Sequence, residues 1–207
     1  MTVALNPAGM HNYRLSAYKR NANDFYPTPP DLVVALALGL PRLGLERPHV
    51  ALDPCGGDGA LRRSLALFDV DVRLSDLYPE KYDDSEGYVT NQPLDASDSK
   101  YMDFAFSLAG PDCTAIITNT PHNTKEACAI VRNLIGLVEK ERIDFGAALF
   151  RSIWGAEPGR LPFFNRLSFC GEILCCWRAR WIAEAKEARC TRMHGTSGGR
   201  RRGSAPH

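Results

Sequence analysis

The 207-residue chain has no apolar run approaching the roughly 20 residues that a bilayer-spanning helix needs. Its opening, MTVALNPAGMHNYR, lacks the basic start and apolar core of a secretory signal. These absences predict a cytoplasmic protein with no membrane association. Charge of either sign is also missing in excess: 25 Lys and Arg stand against 24 Asp and Glu, a formal net of +1. That excludes a global electrostatic pull toward nucleic acid, so any such partner has to meet a local basic patch. None of the seven cysteines forms a CxxC pair. An odd count, with Cys175 and Cys176 adjacent, fits reduced buried thiols better than a disulfide framework. Cys190 and His194 have a ligand-like spacing, but no second pair accompanies them, and no metal site is expected.

What remains is an ordinary globular composition, 44% hydrophobic, in a length that suits one domain able to bury a core. Residues 1–23 are polar and lack periodicity, and read as a flexible arm. In DFYPTPPDLVVALALGL, Thr28 is placed to cap a helix, with Pro29 at its first position and Asp31 closing a capping box. Val50 to Leu52 reads as a buried strand, 60–68 as a helix, 70–75 as a second strand and 88–93 as a poor third. Ala115 to Ile117 is a strand ending at Asn119. The stripe Ala127, Ile130, Val131, Leu134, Ile135 and Val138 predicts a long helix, with Thr124 as its cap. Two further strands are expected, at Phe145–Phe150 and at Ile173–Trp177. Strands alternating with helices predict an α/β, Rossmann-like fold: a mostly parallel sheet with helices on both faces.

Between the first strand and the first helix after it stands DPCGGDG, with three glycines and two aspartates. In an open parallel sheet such a turn lies at the carboxyl ends of the strands, where ligands bind. Gly57 is expected to make the sharp turn and Gly59 to let a ligand approach bare backbone. Asp76 ends the second strand about twenty residues on, the spacing at which an acid meets ribose hydroxyls. The acids Asp53 and Asp58 would repel a pyrophosphate. A cofactor with a ribose and a cationic part, such as S-adenosylmethionine, suits the loop better.

Asn119-Thr120-Pro121-His122 then follows the 115–117 strand. With Phe25-Tyr26-Pro27-Thr28-Pro29 and Asp53-Pro54…Gly57-Asp58-Gly59 upstream in the same order, the chain resembles the S-adenosylmethionine-dependent DNA amino-methyltransferases over residues 24 to 182. Their signature is an (Asn/Asp/Ser)-Pro-Pro-(Tyr/Phe/Trp) motif. The resemblance implies methylation of the exocyclic amino group of adenine, or of cytosine, in DNA. Asn119 would supply its side-chain oxygen and Thr120 its backbone carbonyl to grip the amino hydrogens. Pro121 would shape the turn and His122 would stack on the base. Tyr26, Pro27, Thr28, Asp53, Pro54, Gly57, Gly59 and Asp76 would line the cofactor site. Asp95, or as second choice Asp103, would meet the adenine amino group. Thr120 and His122 depart from the family pattern.

Two other readings stay open: a methyltransferase of the same build acting on a protein or small molecule, and a catalytically degenerate cofactor-binding module. The predicted methyltransferase domain spans 24–190, with no room for an added recognition domain, so a specificity partner is one expectation. Residues 191–207, ending GTSGGRRRGSAPH, read as a disordered basic tail standing where a last strand would complete the sheet. That is the pattern of a truncated or frame-shifted ending.

Overall fold

The computed structural model describes residues 26–82, 87–121, 124–151, 154–157, 159–166, 168–179 and 189–197. Its frame is one six-stranded sheet: β1 (Val50–Asp53), β2 (Asp71–Leu74), β3 (Cys113–Asn119), β4 (Phe145–Arg151), β5 (Phe169–Ala179) and β6 (Arg189–Ser197). The spatial order is β2-β1-β3-β4-β6-β5. β1 pairs in parallel with β2 and β3, and β3 in parallel with β4. β6 runs antiparallel to both β4 and β5.

Helices cover both faces. On one side α1 (Pro30–Gly39) and α2 (Ala60–Leu65) pack Leu32, Val33, Leu36, Leu61 and Leu65 against Ala51, Val72, Ala115 and Ala147. On the other, α3 (Ser99–Leu108) and α4 (Thr124–Glu139) set Met102, Phe106, Ile130 and Leu134 against Val50, Leu52 and Ile116. Alternate residues of one strand thus enter opposite cores. A strand buried on both faces must be apolar throughout, which is why β1, β3 and β4 read as unbroken apolar runs. A third cluster joins α4, β4 and the short helix α5 (Leu161–Phe164) through Val131, Phe150, Trp154 and Phe163. Among the described residues no helix is long and apolar enough to cross a membrane.

Four expectations need correction. α1 begins at Pro30, Pro29 sits at its N-cap, and no side chain caps it. Pro30 excludes the helical region for the residue before it, so Pro29 stays extended (φ −61°, ψ 133°) and the helix cannot start there. Residues 88–93 form no strand. A single parallel bridge joins Tyr88 to Leu74, after which Gln92 turns back to donate to the Thr90 hydroxyl (3.1 Å). α3 was not foreseen; Asp98 caps it by accepting from Lys100 N–H (2.8 Å). Lastly, 191–197 are part of β6, not of a tail. Main-chain pairing with β4 and β5 recruits this proline-free segment into the place of the strand that looked missing. The arm 1–23 and residues 198–207 lie outside the described residues.

Candidate functional site

The strand order reverses at β1: the chain passes from β1 to β2 on one side and then crosses back to β3 on the other. Such a reversal opens a crevice at the carboxyl ends of the strands. Here it is a cleft of about 420 Å³. Tyr26, Pro27 and Thr28 line it ahead of α1, and Asp53, Pro54, Cys55, Gly57 and Asp58 after β1. Asp76, Tyr78 and Tyr82 follow β2, and Leu94 to Ser97 precede α3. Asn119, Thr120 and Pro121 come from the end of β3, Glu126 and Ile130 from α4.

The turn after β1 uses each glycine for a different reason. Gly57 (φ 52°) and Gly59 (φ 74°) both hold left-handed backbone, where a side chain is strained. Gly57 faces the cleft, whereas Gly59 is the N-cap of α2 and does not line it. Gly59, where close approach of a ligand is expected, thus stands outside the cleft lining. At Gly56 a Cβ would come within 2.8 Å of the Leu74 Cβ, so that glycine lets the turn pack on β2. Tyr88 fixes the turn from outside, its hydroxyl donating to the Gly57 carbonyl (2.6 Å).

Two acids frame this turn. Asp53 is buried at the cleft floor, and its Oδ1 accepts from Thr118 Oγ1 (2.7 Å) and from Cys55 N–H (3.0 Å). Burial pushes its carboxyl up to about 7; the two hydrogen bonds pull it down, and Asp76 adds a little repulsion. Asp76 accepts from Gly57 N–H (3.0 Å) and Tyr78 N–H (2.8 Å), which ties the glycine turn to the end of β2. Its carboxyl is also raised, chiefly by burial, against the pull of those bonds. Burial likewise holds the Cys55 thiol well above its ordinary value, and pushes the Tyr82 phenol up to about 12. Asp58 sits at the rim, paired with Arg63 (3.1 Å).

Across the cleft, Asn119 Nδ2 donates to the Tyr26 carbonyl (2.9 Å). Its Oδ1 is buried and has no hydrogen-bond partner. Thr120, where the motif has proline, is buried and sends its hydroxyl to the Leu149 carbonyl of β4 (3.4 Å). That long bond anchors the turn to the next strand in place of a proline ring. Pro121 lines the cleft, and His122 lies outside the described residues. Of the two acids weighed for the adenine position, Asp95 is in the cleft, where it accepts from Ser97 N–H (2.9 Å). Asp103 is on α3, faces Arg142 at 3.7 Å and does not line the cleft.

The structure adds residues that sequence reasoning missed. Cys55, Tyr78, Tyr82, Ser97 and Glu126 all line the cleft. Asn133 of α4 holds the Asp95 loop by donating to the carbonyls of Ala96 (2.9 Å) and Ser97 (3.0 Å). Asn133 lies beside the apolar stripe of α4, next to Arg132, and no periodicity singles it out. Together the described lining carries the carboxylates of Asp53, Asp58, Asp76, Asp95 and Glu126, and no Lys or Arg. Such a lining favours cations and hydroxyl donors over phosphate.

A parallel sheet reversed at β1, closed by one antiparallel strand and sandwiched by helices, is a Rossmann-like methyltransferase fold. Comparison with a solved structure agrees. A candidate RNA methyltransferase of Pyrococcus horikoshii superposes with a TM-score of 0.56 at 13% identity, over 84% of this chain and 88% of that one. Magnesium protoporphyrin IX methyltransferase of Synechocystis PCC 6803, solved with bound SAH, gives a TM-score of 0.48 at 15% identity, over 82% and 83%. No protein-family model matches the sequence, and no curated protein does.

Proposed function

We propose that the chain is an S-adenosylmethionine-dependent methyltransferase whose acceptor is an amino nitrogen conjugated to a ring, the exocyclic amino group of adenine or cytosine in DNA. The observation that carries this reading is Asn119 at the end of β3, which lines the cleft beside Thr120 and whose Oδ1 has no hydrogen-bond partner within the protein. An exocyclic amino group is a poor nucleophile because its lone pair is delocalised into the ring. An acceptor on each of its two hydrogens favours the more tetrahedral, nucleophilic form. Asn119 Oδ1 is one acceptor, and by the motif resemblance the Thr120 carbonyl is the other. The cofactor supplies an electrophilic methyl group on a sulfonium. The acids fit it: Asp76 for ribose hydroxyls, Asp95 for the adenine amino group, and Asp53 beneath as a counter-charge. Alignment of nitrogen and methyl then accounts for much of the rate, and no strong base is required.

The acid-lined cleft favours a second reading, in which the acceptor is a carboxamide nitrogen of a protein or small molecule. Such a nitrogen poses the same electronic problem, and its carrier brings no phosphate near Glu126 and Asp58. For DNA, phosphate contacts have to come from outside this lining, from other basic residues of the chain or from a specificity partner.

The test is methyl transfer. Pure protein is incubated with S-adenosylmethionine and, in separate arms, unmethylated DNA, RNA or protein, and the digests are analysed by mass spectrometry. N6-methyladenine or N4-methylcytosine from DNA is expected, with a loss of about 10²–10³ in rate for Asn119→Ala, the scale of removing one aligned hydrogen-bonding group from a reacting centre. Methylated glutamine with unchanged DNA would establish the second reading. No cofactor binding by calorimetry would overturn both.

A further inference from the structure

The geometry points to Tyr26 as a positioning residue that acts through its main-chain carbonyl: by holding Asn119 Nδ2 it decides which end of the carboxamide faces the acceptor. The inference rests on the amino-methyltransferase reading for its consequence, though not for its geometry. A carboxamide has two ends of similar size and opposite hydrogen-bonding sense, one accepting and one donating. With Nδ2 outward, Asn119 would set a donor against the hydrogens of the acceptor's amino group, and the grip would become a repulsion. The bond to Tyr26 (2.9 Å) removes that choice and leaves Oδ1 as the buried, unpartnered end.

The sequence fixes the holding carbonyl as well. Tyr26 precedes Pro27, and a residue before proline is confined to extended ψ, so the Tyr26 carbonyl has a narrow range of directions. Pro27 and Pro29 each hold φ near −65°, and the segment runs directly into α1, whose Leu32, Val33 and Leu36 are buried in the core. A short stiff strut thus reaches from the core to a side chain 93 positions along the chain. Because a carbonyl cannot be removed by mutation, the residue that tests the strut is Pro27. Pro27→Gly keeps the Tyr26 carbonyl but frees its direction.

The experiment reads the Asn119 side-chain amide by ¹⁵N–¹H correlation spectroscopy, assigned by its loss in Asn119→Ala, alongside steady-state kinetics. In the wild-type protein one of the two amide protons is expected downfield and slow to exchange. In Pro27→Gly that asymmetry collapses and kcat falls by about tenfold or more. Pro41→Ala, an exposed proline just past α1, leaves amide and kcat unchanged. A wild-type amide that behaves like an exposed carboxamide would overturn the inference, as would a Pro27→Gly enzyme that keeps its kcat. If no acceptor is methylated but the protected amide is present and is lost in Pro27→Gly, the positioning stands and the proposed reaction falls.

Discussion

Asp53 carries a cost at the floor of the cleft. Its carboxyl is wholly buried and rises from an ordinary 3.8 to about 7. In the unfolded chain it ionises near its ordinary value. Between about pH 4 and pH 7 the folded protein therefore keeps a proton that the unfolded chain has lost, and stability falls as pH rises through that window, then levels off. Above pH 7 the loss is on the order of 4 kcal/mol. Asp53→Asn keeps an oxygen for Thr118 and Cys55 but has nothing to ionise. Urea unfolding should find the variant a few kcal/mol more stable than wild type at pH 8 and nearly equal at pH 4. An unchanged slope with pH would mean that Asp53 is already ionised in the folded state. The same variant is expected to bind a cationic cofactor more weakly at pH 8, a gain in stability at the expense of the site.

Among the elements, β4 and α4 meet more closely than side chains allow. A Cβ built on Gly146 would lie 1.8 Å from Leu134 Cδ2 and 2.5 Å from its Cγ. Gly146→Ala should therefore cost about 1–3 kcal/mol through overpacking. In Leu134→Ala the obstructing side chain is gone, so the same Gly146 change should cost much less there. A double-mutant cycle by denaturant unfolding reads this as a coupling of at least 0.5 kcal/mol, and strict additivity would show that the contact relaxes freely. These elements were also the legible ones. β1, β3, β4 and α4 are buried deeply enough that their side chains write the period into the sequence. α3 was not legible because Tyr101, Phe104 and Leu108 are 40–47% exposed and blur the stripe made by Met102, Ala105 and Phe106. In the site, Asp53, Asp76 and Asn119 stand at strand ends, where a run of apolar residues points to them. Tyr78, Tyr82 and Glu126 reach the cleft from connections and a helix start, where no periodicity singles them out.

At the scale of the whole molecule, β6 decides whether the sheet closes. β5 returns parallel to β4 but does not touch it; β6 lies between them and runs the other way. Its register with β4 runs unbroken from Phe145–Ser197 to Arg151–Thr191, so it covers β4 along the strand's full length. Without β6, β4 would present an unpaired edge, and β5 would keep its packing against α1, where Ile173 meets Gly39, and against α5, where the Phe169 and Phe164 rings meet edge to face at 5.2 Å. An open edge of backbone donors and acceptors invites pairing between molecules. A chain ended at Ala188 should therefore be monomeric only at low concentration and should aggregate on standing. A chain ended at Ser197 keeps all six strands and is the control. Sedimentation and thermal unfolding distinguish the two. A monomeric, cooperatively folded chain ending at Ala188 would show that the parallel half of the sheet, with its helices and cleft, is stable without β6.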